Sequence, residues 1–249
     1  MSVTLYQHVD DLPPDVASAL LQWTLSIADT KHRLGIQYSH WVTGTPALEA
    51  AVGSAALTQD ELGHARSLYS LLRHFPGAPE HLGGENDLEA RTVFYSPAAL
   101  LPKWESWLKV VAINVVLDRA LQEAIAAMKG GPFHPLTSRV AKILQEERFH
   151  RIFGDQWLAR LAARNDEVTQ QLQQAINWAW QITLEWLGPD DDPTIAPLLA
   201  HHMLNHDLST IRTRWLDDIR PLLSANQLTV PDIEPEWSRW QPQFRHVRF

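Results

Sequence analysis

The 249-residue chain contains no cysteine. Disulfides, thiolate nucleophiles and sulfur-ligated metal sites are therefore excluded, and any metal must be held by histidine and carboxylate. Long apolar runs are also missing; no stretch approaches the roughly 18 residues that a membrane span needs. Basic residues are in the minority, 21 Lys and Arg against 29 Asp and Glu, for a formal charge of −8 with the histidines neutral. A surface of that sign repels nucleic acid and anionic lipid, so neither is an expected partner. The opening residues MSVTLYQHVDDLPP carry no basic n-region and no apolar h-region. They do not read as a secretory signal, and the cytoplasm is the expected compartment. Gly-rich phosphate loops and nucleophile elbows are absent too.

What the chain has instead is helical periodicity and tryptophan. Hydrophobic residues make up 45% of it, with 11 tryptophans that suit thick helix–helix seams. Val16, Leu20, Trp23, Ile27, Lys31, Leu34, Tyr38 and Trp41 recur at steps of three and four behind Pro13-Pro14, which predicts a long first helix. Ala50, Ser54, Leu57, Glu61, His64, Leu68 and Leu71 form the stripe of a second, from about Pro46 to Leu72. The Gly- and Pro-rich stretch 74–100 reads as a crossover. A third helix is expected from about Lys103 to Met128, carrying Asp118. A fourth begins near Pro135 and carries Glu147 and His150. A fifth covers about 166–187, and one or two more lie between Pro193 and Leu223. The expected architecture is all-α: one ferritin-like domain over 1–249, with a core bundle of about 14–163. Additional helices cover about 166–223, and an extended tail covers 224–249. In that tail Trp237 and Trp240 have no helix of their own to pack against. Asp190, Asp191 and Asp192 read as a solvated loop.

Two Glu-x-x-His motifs lie inside otherwise apolar stripes: Glu61-Leu-Gly-His64 and Glu147-Arg-Phe-His150. The i, i+3 spacing sets carboxylate and imidazole on one helix face, one turn apart. A di-iron or di-manganese carboxylate site takes two such motifs and one carboxylate from each of two further helices. Asp118 suits the third helix. A charged residue in a core stripe costs several kcal/mol unless it is paired or metal-bound. Gly63 and Gly154 leave room near these groups. A metal-free hydrogen-bonded network is the alternative reading of the same residues.

The segments AALTQDELGHARSLYSLL, FYSP, VVLDRA, ILQEERFHRIFG, QQAINWAWQITLEWLGPDDD and LTVPD, in that order, resemble the phenylacetic acid catabolic family over roughly residues 20–232. That family includes the A and C subunits of the phenylacetyl-CoA ring epoxidase. The resemblance implies a ferritin-like bundle and a multicomponent monooxygenase fed by a separate reductase component. It also implies a CoA-linked aromatic acid as substrate. The partner expectation comes from the tryptophans: Trp237 and Trp240, aromatic anchors in a tail with no helix of its own, predict a homodimer or a hetero-oligomer with a related subunit. By the same resemblance Glu61, His64, Asp118, Glu147 and His150 correspond to iron ligands, with Glu61, Asp118 and Glu147 at the reacting centre. The family's C-type member has the same fold without a working metal site and scaffolds the A-type member.

One position departs from the pattern: Lys31 stands where the first helix should give a glutamate. Four carboxylates balance two divalent cations. Three carboxylates and an ammonium leave −2, which suits one iron, or none if Lys31 pairs with Glu61 and Glu147. The expectation is an epoxidase-type oxygenase subunit with a degenerate di-iron site. The alternatives are a metal-free scaffold subunit of such a complex, or a stand-alone ferritin-like iron-binding protein.

Overall fold

Pro14 opens the first helix, α1 (Pro14–Trp41), where its fixed φ fits and its missing N–H leaves no intrahelical bond unmade. A short loop returns the chain antiparallel as α2 (Leu48–Leu72). Gly35 permits this approach, since a Cβ there would lie 2.7 Å from the Leu62 side chain. The computed structural model describes residues 4–82, 90–242 and 244–247. Residues 83–89, in the middle of the expected crossover, lie outside the described residues.

The described remainder of the crossover is held along α1 by two buried polar side chains. Asp29 accepts hydrogen bonds from both terminal nitrogens of Arg91 (2.7 and 2.9 Å), from the Tyr69 hydroxyl (2.6 Å) and from the Tyr95 backbone N–H (2.7 Å). Gln37 donates to the carbonyls of Leu100 and Pro102, both at 2.8 Å, and accepts from the Trp104 backbone. A buried carboxylate with its acceptor sites filled is stable where a bare one would not be.

The third helix, α3, spans 107–126. It starts at Ser106, whose hydroxyl caps the Leu108 N–H, rather than at Lys103. Between Trp107–Ile113 and Arg119–Ala126 it widens into a π turn over Asn114–Asp118. Such a turn frees carbonyls from their usual partners. Here Val115 O accepts from Arg119 Nε at 3.2 Å, and Val116 O accepts from Trp215 Nε1 at 3.1 Å. The fourth helix, α4 (His134–Ala162), has a proline in its first turn and runs antiparallel to α3. Two antiparallel pairs joined by a crossover make the ferritin-like bundle.

Three further helices pack outside it: α5 (Asp166–Leu187), α6 (Ile195–Ala200) and α7 (Leu208–Ala225). Tryptophan seams bind them to the bundle and to one another. Trp23 meets Trp186 at 6.2 Å between ring centroids, and Trp180 meets Trp215 at 4.5 Å. No helix among the described residues is long and apolar enough to cross a membrane.

The C-terminal segment differs from the extended arm its composition suggests. A two-residue antiparallel ladder pairs Trp240 with Val247 and Gln241 with His246. It brings Arg245 back to full burial, where the guanidinium pairs with Asp192 and lies 4.7 Å from the Trp23 ring centroid. Asp192 is therefore buried and not part of a solvated loop. The Trp240 ring covers Gly188, which has φ +83 and space for no side chain, since a Cβ would meet the ring at 2.9 Å. These tryptophans pack on the chain itself; no periodicity foretells it, because the anchors are single residues on a loop.

Candidate functional site

Lys31, Glu61, Asp118, Glu147 and His150 reach the bundle axis from α1, α2, α3 and α4 at one level, and each is buried. Glu61, Asp118, Glu147 and His150 each offer a ligand atom within 4.8 Å of the others. Among the described residues no other such cluster occurs. The i, i+3 spacing of Glu147 and His150 places both on the inward face. The π turn rotates α3 so that Asp118 faces the same centre.

Lys31 occupies that centre. Its Nζ donates to Glu147 Oε1 at 2.5 Å, to Asp118 Oδ1 at 2.9 Å and to Glu61 at 3.1 Å. Three donor hydrogens meet three carboxylates, which matches the ammonium's full capacity. The contacts to Glu61 and Glu147 accord with the sequence reading; the third, to Asp118, does not follow from it. Burial pulls the Lys31 pKa down, but the charges of Asp118, Glu147 and Glu61 outweigh it and hold the ammonium well above its ordinary value.

His150 Nδ1 lies 2.9 Å from Asp118 Oδ2, so the nitrogen facing the cluster carries a proton and donates it to that carboxylate. Against the effect of burial, Glu147 and Asp118 raise this imidazole well above the usual histidine range. Burial would raise Asp118, yet Lys31 and His150 together push it well below the ordinary carboxylate value. Glu61 moves the other way. Burial, reinforced by the charge of Asp118 and opposed by Lys31, brings it up to about 8. Burial and the charge of Asp118 also raise Glu147, against the opposing pull of Lys31 and His150.

His64 is not brought into this cluster. Its Nε2 turns outward to Glu146 Oε2 at 2.8 Å, and its Nδ1 stays 3.5 Å from Glu147. Burial, Lys31 and His150 lower its pKa to about 2, so the ring is neutral. His150 Nε2 correspondingly points to Asp60 at 3.5 Å. Each motif histidine therefore faces the acidic residue that precedes the other motif's glutamate. Sequence reading passed over Asp60 and Glu146, although both stand next to a motif glutamate on its outer flank. It also passed over Asn114, whose Nδ2 lies 3.4 Å from both Asp118 Oδ2 and the Tyr38 hydroxyl. Gly154 admits Asn114, because a Cβ there would sit 2.1 Å from the amide oxygen. Gly63 has nothing within 4 Å and serves no such purpose.

These residues do not fit a two-metal centre. A lysine nitrogen stands among the carboxylates that would hold the ions, and the inward nitrogen of His150 is hydrogen-bonded to Asp118. Lys31 supplies positive charge to all three carboxylates from within the chain.

The helix order, the crossover and the central cluster define the class: an all-α, ferritin-like carboxylate bundle. Within that class the chain belongs to the phenylacetic acid catabolic protein family, which it matches over residues 2–247. It is 30% identical over 212 residues to the A subunit of the 1,2-phenylacetyl-CoA epoxidase of Escherichia coli (strain K12), covering 84% of this chain and 67% of that one. It is 26% identical over 216 residues to the C subunit of the same enzyme, covering 85% and 84%.

Proposed function

We propose that this chain is a structural, metal-free subunit of a phenylacetyl-CoA epoxidase-type oxygenase in phenylacetate catabolism. One observation carries the reading: the Lys31 ammonium sits within 3.1 Å of Glu61, Asp118 and Glu147. An ammonium fixed there supplies the positive charge that a ferritin-like carboxylate cluster otherwise takes from iron. Glu61, Asp118 and Glu147 then hold helices together and do not act on oxygen. The partner is a metal-bearing relative in the cytoplasm, which receives electrons from a reductase component and a CoA-linked aromatic acid as substrate. A bundle stiffened by its own internal salt cluster is suited to support such a relative, because its shape does not depend on metal loading.

Co-expression with a metal-bearing, A-type relative tests the proposal. The Glu61→Gln variant of this chain should leave epoxide turnover per complex within about twofold of wild type. The matching substitution at the relative's own metal-ligand glutamate should abolish turnover. Loss of turnover with Glu61→Gln in an intact, correctly sized complex would place the chemistry in this chain and overturn the reading.

A further inference from the structure

The end of the bundle where α4 gives way to α5 holds a cleft of about 280 Å3, lined by none of the residues of the carboxylate cluster. Trp107 at the start of α3, Trp157 and Leu161 near the end of α4, and Val168 in the first turn of α5 give it an apolar wall. Arg160 and Arg164 give it charge, and no carboxylate lines it among the described residues. The wall is preformed: Trp107 meets Trp157 edge to face, 5.3 Å between ring centroids, and both residues are more than nine-tenths buried. We infer that the cleft is a binding site for a small aromatic monoanion of the aryl carboxylate class.

The charge of the occupant follows from the partners already present. The Arg160 guanidinium is taken by Glu49 at 2.6 Å and lies 4.8 Å from the Trp157 ring centroid. Arg164 is fixed just past the end of α4, where its backbone N–H donates to the Leu161 carbonyl at 3.2 Å. Its guanidinium forms no ion pair among the described residues. One unit of positive charge is thus left to the cleft, which suits a monoanion and only half neutralises a phosphate dianion. A guanidinium meets a carboxylate through two parallel N–H···O bonds, so the match is one of shape as well as charge. The Ser106 hydroxyl is already in use, accepting from the Leu108 N–H at 3.1 Å. The Trp107 indole N–H meets no acceptor among the described residues, an uncommon state for a buried donor.

Size sets the rest. At about 30 Å3 per water the cleft holds roughly nine waters, the space of a single ring bearing a carboxylate. Drug-sized ligands and cofactors take about 300–1,000 Å3, so a coenzyme is too large for it. A partner helix, about 10 Å across, is too wide to enter. Indole surfaces favour a flat ring in offset or edge-to-face contact, which an inorganic anion does not offer. The inference stands apart from the metal-free scaffold reading, because it uses none of the residues of the carboxylate cluster.

Calorimetric titration of the full chain with benzoate tests the inference. Benzoate should bind saturably with a Kd on the order of 0.1–1 mM, the range open to so small a ligand. Benzamide has the same shape without the charge and should bind at least tenfold more weakly, and inorganic phosphate should not displace benzoate. Arg164→Gln, at an exposed residue, should weaken benzoate at least tenfold. Lys142→Gln, at an exposed lysine of α4 outside the cleft, should leave it unchanged. Val168→Trp keeps both arginines and fills the cleft, so it should remove binding while the circular dichroism stays that of wild type. Four results would each overturn the inference: no saturable binding to wild type, equal affinity for benzamide, displacement by phosphate, or an affinity that Arg164→Gln does not change.

Discussion

His64 of α2 lies 2.8 Å from the carboxylate of Glu146 on α4, one residue before the glutamate that belongs to the central cluster. The reciprocal contact joins His150 to Asp60 at 3.5 Å. The two motifs thus brace each other from outside the cluster, and this second tier holds α2 against α4 without Lys31. Replacing Glu146 by Gln keeps an acceptor oxygen, whereas Ala removes it. Glu146→Ala should cost about 1–2 kcal/mol in denaturant unfolding and Glu146→Gln less than half of that. Equal losses from both would show that packing, not the hydrogen bond, is responsible.

The Lys31 ammonium meets Glu61, Asp118 and Glu147 together, each within 3.1 Å. Lys31→Met retains the aliphatic stem and deletes the charge. Removing one partner of a buried ion cluster typically costs about 3–5 kcal/mol, because the remaining charge stays buried. The variant should lose that much, and adding Glu147→Gln to it should restore part of the loss. A Lys31→Met protein within about 1 kcal/mol of wild type would contradict the counter-ion role.

Two glycines near the cluster should respond oppositely to alanine. At Gly154 the new methyl would stand 2.1 Å from Asn114 Oδ1 and displace the group beside Asp118, costing about 1–3 kcal/mol. At Gly63 nothing lies within 4 Å, so alanine should be neutral or stabilise the helix by up to about 1 kcal/mol. Paired thermal melts of the two variants separate these outcomes.

His32 gives a pH test away from the ligand positions. Burial and the neighbouring charge of Arg33 bring its pKa down to about 4, against the opposing pull of Asp29 and from an ordinary 6.5. Between those values the unfolded chain binds a proton that the folded chain refuses, so stability falls as pH drops from 6.5 to 4. Above 6.5 the ring is neutral in both states and contributes no slope. The difference in unfolding free energy between wild type and His32→Gln should therefore drift only below about pH 6.5. A difference that is flat across that window would place His32 in solvent.

The fold was largely legible in the sequence, because α1 to α4 carry long apolar stripes and Glu61, Asp118, Glu147 and His150 interrupt them in register. Less legible were features set by tertiary geometry. The π turn over Asn114–Asp118 leaves no periodic mark, so the aim of Asp118 and the part played by Asn114 are visible only in three dimensions. His64 satisfies the same spacing rule as His150 yet turns its Nε2 outward to Glu146, 2.8 Å away. The return of Arg245 to Asp192 and Trp23 depends on single contacts between distant residues, which composition does not encode.

If the Lys31 ammonium takes the place of metal charge in this bundle, the protein should not need iron. Iron content, measured by elemental analysis on protein expressed with added iron, tests this most directly, with wild type and Lys31→Glu prepared side by side. The expected result is essentially no iron in wild type and a clear gain in Lys31→Glu, where a fourth carboxylate replaces the ammonium. One or two irons per wild-type chain would contradict it.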